Sequence, residues 1–376
     1  MMPPHTTQAM VARVAGQGLP TGNELGIVNT PEFEFVRASQ RSASLFGEIV
    51  SFLDTQDTSH PFQLPQWSGG GTHLALLRRH GHLQWFAQCG VLYPAGRILP
   101  FIRALTVIRG PVCDDLEVME AGLLQLVAES RKRGFAYIDI APEWTGPFAE
   151  SVVSVLARNG WQALGGDRLS LRLDLTPTRE CLLASFRATT RYEIRRSESA
   201  GIEVTIARND REFRDFLRLY AELARQKQFP AEDSDFLLRI FDWLAGDPLR
   251  GGLFLAREGG TLKGGILVVR SGVRCWYILG ATAKESKFTA GHLLQWRAIQ
   301  WAKQSGCLEY DFGGFREGMS SGPALFKRGF CDRVVHFLVP QRYVVNQNRR
   351  ELADRILSLR NEFRLFRGSG ARHSRP

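Results

Sequence analysis

The chain has 376 residues, 44% of them hydrophobic, and a formal charge of +10. That length and apolar share suffice for two domains with full cores, and Gly and Pro are too scattered for a collagen-like or low-complexity polymer. The six cysteines (89, 113, 181, 275, 307 and 331) form no CxxC pair. This excludes a zinc ribbon or a disulfide framework and leaves free thiols in a reducing cytosol as the expectation.

Residues 1–35 lack clear periodicity and are expected to be a mobile leader. The opening MMPPHTTQAM carries no basic segment leading into an apolar core, so no signal peptide is expected. No run of about eighteen apolar residues exists, so no spanning helix is expected and the protein is placed in the cytoplasm.

From residue 36 the elements come in a definite order. Leu74–Gln88 (LALLRRHGHLQWFAQ) reads as a β-hairpin with a Gly-containing turn. VIRGPV follows at Val107–Val112, and a helix passes through Leu123–Gln125. SRKRGFAYIDIAP (Ser130–Pro142) is a basic helix end, a glycine and an apolar run closing on Asp139. LARNGW (Leu156–Trp161) ends this half. SLRLDLTPT then reads as a strand entering a Pro-containing connector, which puts a boundary near Leu171–Thr178.

The second half echoes the first. LFLAREGGTLKGGIL is again a hairpin, LLQ recurs at Leu293–Gln295, and AKQSGCLEYDFGG (Ala302–Gly314) matches the segment ending in Asp139. LFKRGF (Leu325–Phe330) matches LARNGW, with Lys327 opposite Arg158. Asp139 and Asp311 each lie five residues past a glycine, Gly134 and Gly306. Repeated units with strands and helices alternating predict an α/β fold, with mixed sheets flanked by helices. The expected domains are 36–175 and 176–340, with a cleft between them where a ligand would sit.

ECLLASFRATTRYEIRRSESAGIEV (Glu180–Val204) is expected to be one helix, capped by Thr178, running to about Ala200 and stopped by Gly201. Arg187, Arg191 and Arg195 then stack at i, i+4, i+8 beside Arg196. Such like-charge pairs destabilise a helix by about 0.2–0.5 kcal/mol each. Either Glu180, Glu193 and Glu198 neutralise them locally, or a phosphate-bearing ligand does, since Arg suits bidentate phosphate recognition.

Residues 341–376 carry nine arginines against Glu351, Asp354 and Glu362, a net +6. Leu352, Ile356, Leu359, Phe363 and Phe366 recur at helical spacing, giving a basic amphipathic C-terminal helix. Its arginines either face water or touch anionic lipid or nucleic acid.

Three segments together, FRATTRYEIRRSESAGIEV, AGHLLQWRAIQWAKQSGCLEYDFGG and LFKRGF, resemble the Fem (FemAB/FemX) aminoacyltransferases, whose fold is that of the GNAT acyltransferases. VIRGPV is similar to an RGP-containing strand of that family, and the resemblance spans about residues 37–340. It implies tandem GNAT-like domains and transfer of an amino acid from aminoacyl-tRNA to an amine of a peptidoglycan precursor, lipid II or a UDP-muropeptide. It implies no metal and no cofactor, and a basic surface serving tRNA and the inner leaflet through the C-terminal tail. Arg191 matches the family's diphosphate-contacting arginine, with Thr189 nearby. Phe326 and Lys327 match the Phe–Lys pair beside the acceptor end of tRNA and the reacting carbonyl.

Amide formation from an ester passes through an oxyanion, and Lys327, between Phe326 and Phe330, is the cation expected to stabilise it. Asp311 either holds or deprotonates the attacking amine, or caps the DFGG turn and orients Lys327, which is ordinary turn chemistry. Tyr310 and Trp301 are candidates to line the cleft, and Trp296 is expected in the core. His292 alone at a helix start is expected to be structural, and DFG without an HRD loop is no kinase signature.

Two departures stand out. Cys331 occupies a position where the family commonly has glycine, and no long helical arm follows Gly201. The stretch KESKFTAGHLL (Lys284–Leu294) holds a single glycine, Gly291, where CoA-dependent relatives carry a Gly-rich pyrophosphate cradle. That favours a tRNA-borne donor. The alternatives are an acyl-CoA N-acyltransferase acting on a polysaccharide or sugar amine, and a non-enzymatic tRNA- or membrane-binding module.

Overall fold

The computed structural model describes residues 31–40, 42–69, 71–94, 96, 99–283, 290–315 and 322–370, with side chains described as far as residue 358. Most of the expected leader lies outside these residues. Its last part does not behave as a leader: Glu32–Arg37 forms strand β1, because Phe33 and Phe35 pack on one apolar core and Val36, facing the other way, packs on another.

Helix α1 (Ala43–Thr55) starts where the Ser42 hydroxyl accepts from the Leu45 amide. Strands β2 (His73–Arg79) and β3 (His82–Leu92) form the first expected hairpin. Strand β4 (Ala104–Ile108) leads to α2 (Leu116–Lys132), capped by Asp115, and then to β5 (Tyr137–Ala141), α3 (Gly146–Arg158) and the short β6 (Gln162–Ala163). Strand β7 (Arg168–Asp174) comes next.

The expected arginine helix is broken in two. Thr178 caps α4 (Arg179–Ser185), and α5 (Ala188–Ser199) begins only after Arg187. Between them Phe186 turns extended and is buried, edge-on to Trp296 and Phe330 at 5.5 and 5.1 Å. Burying a phenyl ring, worth about 1.5–3 kcal/mol, outweighs the one or two helical bonds lost at the break.

The chain continues through β8 (Glu203–Ile206), α6 (Asp210–Lys227), α7 (Ser234–Gly246) and the second hairpin, β9 (Gly251–Glu258) and β10 (Thr261–Ser271). Then come β11 (Arg274–Thr282), α8 (Ala290–Gln304), β12 (Glu309–Phe315), α9 (Gly322–Arg328) and β13 (Val334–Phe337). Strand β14 (Gln341–Val344) and α10 (Gln347–Gly370) close the chain.

Two seven-stranded sheets result, ordered β1-β2-β3-β4-β5-β14-β6 and β13-β7-β12-β11-β10-β9-β8. Counted from β1 in the first and from β8 in the second, the third pairing is antiparallel (β3–β4, β10–β11) and the fourth parallel (β4–β5, β11–β12). Inverting the second order superposes the two patterns, with β14 matching β7. These two strands are exchanged. Strand β7 follows the first repeat in sequence yet pairs with β12, and β14 follows the second yet pairs with β5.

The domain boundary read from the sequence therefore cuts across the architecture: β7, expected in the first domain, lies in the second sheet. The segment expected as a tail opens with a strand of the first sheet. Its helix is seated there by buried Ala353 and half-buried Ile356, packed near Ile102, Ala104 and Tyr137.

The apolar core also crosses between the sheets. Leu74, Leu76 and Phe86 of the first pack in one cluster with Leu255 of the second and with Phe213 and Phe216 of α6 and Ile240 of α7.

Candidate active site

Strand β12 carries the central feature. Its register against β7 shifts between Asp311 and Gly314, and Gly313 takes φ +73°, a conformation that glycine adopts freely. Asp311 fixes this bulge and is fully buried. One carboxylate oxygen accepts from the Gly313 amide at 2.8 Å and from the Ser170 hydroxyl; the other accepts from Arg172 Nε at 2.7 Å. Beyond the bulge the Gly314 carbonyl accepts from Lys327 Nζ at 2.8 Å. Asp311 thus lies behind the chain that receives the lysine, with its oxygens already engaged.

Lys327 projects from α9. Beside it Phe326 and Phe186 meet Phe330 edge to face at 5.5 and 5.1 Å, and Phe312 lies tilted against Phe330 at 5.4 Å. Burial lowers the ammonium to about 8, with Asp311 pulling the other way. The ammonium lies 6.0 Å from the Tyr277 ring centroid.

Two cavities share Pro323 at the start of α9. One, of about 330 Å³, is lined by Lys327, Gly314, Arg109, Arg168 and Asp167, with Phe315 and Phe337. The other, of about 770 Å³, is lined by Phe326, Tyr277, Gly291, His292 and Gln295, with Lys227 of α6. Lys327 lines the smaller, and Tyr277, whose ring its ammonium faces, lines the larger.

The other expected site residues are placed as follows. Tyr310 does not line a cleft: it is fully buried and its hydroxyl donates to Gln295 Oε1 at 2.6 Å, because the β12 bulge begins after it and leaves it on the core side. Trp296 is core as expected, and Trp301 packs half-buried against the same cluster.

Arg187 is the N-cap of α5 and its carbonyl accepts from the Arg191 amide at 3.0 Å, but the side chains of Arg187, Arg191 and Arg195 go to different surroundings and form no shared ladder. Arg187 pairs with Asp332 at 2.9 Å, Arg191 donates to the Ala184 carbonyl at 3.0 Å and to that of Phe186, and Arg195 is exposed. Thr189 is exposed, and none of these four lines either cavity beside Lys327. The arginine helix and the lysine helix do meet, however. The Arg187 amide donates to the Gly329 carbonyl at 2.9 Å, and a Cβ on Gly329 would stand 2.3 Å from Thr190 Oγ1.

Arg109, Arg168, Glu143 and Tyr277 were missed as site residues. Arg109 was within reach as the arginine of VIRGPV. Arg168 and Glu143 carry no local signal, because only strand exchange brings them together. Glu143 is fully buried, and its Oε1 accepts from Arg109 at 2.5 Å and from Arg168 at 2.8 Å. Lys284 to Thr289, where the degenerate cradle was read, lie outside the described residues.

Residues 184–328 match the family described as acetyltransferase (GNAT) domain. The chain is 28% identical over 174 residues to UDP-N-acetylmuramoylpentapeptide-lysine N(6)-alanyltransferase of Weissella viridescens, covering 46% of this chain and 51% of that protein. It thus spans about half the length of this curated relative. The crystal structure of FemX superposes with a TM-score of 0.72 at 18% identity, covering 82% of this chain and 98% of that one. Residues 184–328 thus match a GNAT domain, and the chain shares the fold of FemX. The same fold recurs, at a TM-score of 0.55 and 14% identity, in the C-terminal domain of a putative lysylphosphatidylglycerol synthetase from Agrobacterium fabrum, covering 84% of this chain and 96% of that one.

In this fold a cation held by a backbone carbonyl at the wall of a cavity can stabilise an oxygen that gains charge during acyl transfer. Among the described residues no helix is long and apolar enough to cross a membrane.

Proposed function

We propose that this chain is an aminoacyltransferase that moves an amino acid from an aminoacyl-tRNA ester to an amine of a peptidoglycan-precursor peptide, carried on UDP or on lipid II. The observation that carries this reading is the position of Lys327, which lines the smaller cavity with its ammonium 6.0 Å from the ring of Tyr277 in the wall of the larger. The larger cavity takes the ester and the smaller takes the amine. The amine nitrogen attacks the ester carbon, and the carbonyl oxygen becomes an oxyanion beside Nζ. Collapse breaks the carbon–oxygen bond to the tRNA ribose, which leaves as a hydroxyl carrying the proton lost by the amine. The product is an amide, and no cofactor enters the balance.

The similarity to an alanyltransferase named for a pentapeptide-lysine acceptor supports this substrate class. Basic side chains of the first turns of α10, Arg350 and Arg355, would add to tRNA or anionic-lipid attraction from a cytoplasmic protein.

The test follows a label. Full-length protein is given radiolabelled aminoacyl-tRNA or acetyl-CoA together with a soluble UDP-muropeptide or lipid II. Label passing from the tRNA ester to the peptide is expected. Transfer from the thioester alone would move the assignment to a CoA-dependent N-acyltransferase, and no transfer from either would leave a binding module.

A further inference from the structure

The small cavity beside Lys327 is cationic in a specific way. Its charged lining comes from three separate segments: Arg109 after β4, Asp167 and Arg168 at the start of β7, and Lys327 on α9. Behind them Glu143 binds both guanidinium groups through one oxygen. Three cations against Asp167 and Glu143 leave a single positive charge, which one singly charged anion would neutralise. A diphosphate would overfill both the charge and a cavity of about 330 Å³.

The arginines are held in place. Arg168 also donates to the carbonyls of Pro142 and Leu338. Arg109 sits at φ +61°, a left-handed conformation that costs a residue with a side chain about 1–2 kcal/mol. Gln63 holds this turn: its side chain donates to the Ile108 carbonyl at 2.6 Å, and a Cβ on Gly110 would stand 2.6 Å from Gln63 Cδ. Backbone strain of this kind gathers at ligand clamps. The Arg109 side chain is 25% exposed and donates to Glu143 through Nη1, so the rest of its fork is left to the cavity it lines. A planar carboxylate suits that fork.

We infer that Arg109 and Arg168 bind a carboxylate on the carbon that bears the acceptor amine, so that the preferred acceptor is a diamino-dicarboxylate residue and not lysine. The inference rests on the transfer reading above and narrows its substrate. Next to its reacting ester the donor brings an amine and phosphodiesters; over these the planar fork favours a carboxylate, which only the acceptor brings beside its amine. The cavity has room for about one amino-acid end, so the carboxylate and the amine presented to Lys327 must be neighbours.

Two UDP-muropeptides identical but for 2,6-diaminopimelate or lysine at the third position serve as probes. Their binding to the full chain is measured by calorimetry without donor, and transfer is measured separately. The diaminopimelate peptide should bind at least about tenfold more tightly, a factor set by one charge-assisted bidentate pair. Arg109→Met should bring that ratio to about one, chiefly by weakening the diaminopimelate peptide. Arg168→Met should do the same if it folds. Arg109, being partly exposed, keeps the test available if it does not.

Equal binding of the two peptides by the unaltered protein, binding of neither, or a preference that survives Arg109→Met would overturn the inference. A preference seen in calorimetry without any aminoacyl transfer would retire the transfer reading and leave the carboxylate clamp standing. Transfer to both peptides at equal efficiency would do the reverse.

Discussion

Arg172 and Asp311 stand directly opposite each other on the exchanged strand β7 and its partner β12, and Arg342 and Asp139 stand in the same relation on β14 and β5. Both pairs are closed by ion pairs of 2.7 Å. The strand exchange is thus pinned twice by the same chemistry, once in each repeat. Asp311 is the better buried of the two, with no exposure against 21% for the Asp139 side chain.

Asp311→Asn should therefore act chiefly on stability. It leaves Arg172 charged and buried without its closest counter-ion, a loss of about 3–5 kcal/mol when one partner of a buried pair is removed. Asp139→Asn, at a wetter site, should lose clearly less. Urea denaturation of both variants measures this order. If Asp311→Asn melts like the parent and only turnover falls, the carboxylate takes part in the chemistry.

Lys327 gives a pH signature. Below about pH 8 the ammonium is charged in folded and unfolded chains alike, and the folded state bears the full desolvation penalty. Between about 8 and the ordinary value of 10.5 the folded chain releases the proton first, so stability should rise with pH in that window. Lys327→Met should abolish the rise.

Turnover should move the opposite way. A cation that stabilises an oxyanion is lost as pH climbs past about 8, so the rate should fall there. Lys327→Arg, which does not titrate in this range, should lose that falling limb, and Lys327→Met should lower kcat by about 10²–10³. A rate that keeps rising through pH 9 in the parent would assign Lys327 to proton removal instead.

The repeat and the α/β class were legible because each rests on local pattern, glycine-delimited strands and helical spacing, whereas Lys327 was singled out by the resemblance and not by its spacing. The helix break at Phe186 was not legible, since what decides it is burial against Trp296 and Phe330, distant in sequence. Nor was the clamp of Arg109 and Arg168 on Glu143. Hydrophobic periodicity says that β7 is a strand and is silent on which sheet it joins. The two sheets offer equivalent vacant edges, beside β5 and beside β12, and the choice is made by contacts between halves of the chain.

Gly329, just past α9, is where the lysine helix meets the arginine helix. Gly329→Ala would set a methyl group 2.3 Å from Thr190 Oγ1 and 3.0 Å from the Phe326 carbonyl, so α9 must shift. Overpacking of this kind costs about 1–3 kcal/mol. Thr190→Ala in the same chain should recover part of that loss, and a double-mutant cycle should return a coupling of at least about 0.5 kcal/mol. Simple additivity of the two changes would mean that the contact does not constrain α9. Turnover should fall with Gly329→Ala alone, because the shift carries Lys327 away from the Gly314 carbonyl.

The strand exchange makes its own prediction about cutting the chain. A break in the connector between Asp174 and Thr178 is where the sequence pattern alone would divide two domains. Yet residues 31–175 would then lack β14, leaving the β5 edge bare, and residues 176–370 would lack β7, leaving β12 unpaired on the side where Asp311 is buried. An open, apolar strand edge aggregates rather than standing in water. Neither half should fold alone. Expressed together they should reassemble, because each carries the strand the other lacks and the shared core around Phe86 and Phe216 closes over both. Co-purification of the halves, with transfer activity restored and ellipticity near that of the intact chain, measures this. A half that gives a cooperative thermal transition on its own would mean that the exchanged strand is dispensable, and that the two sheets are independent domains joined only by a linker.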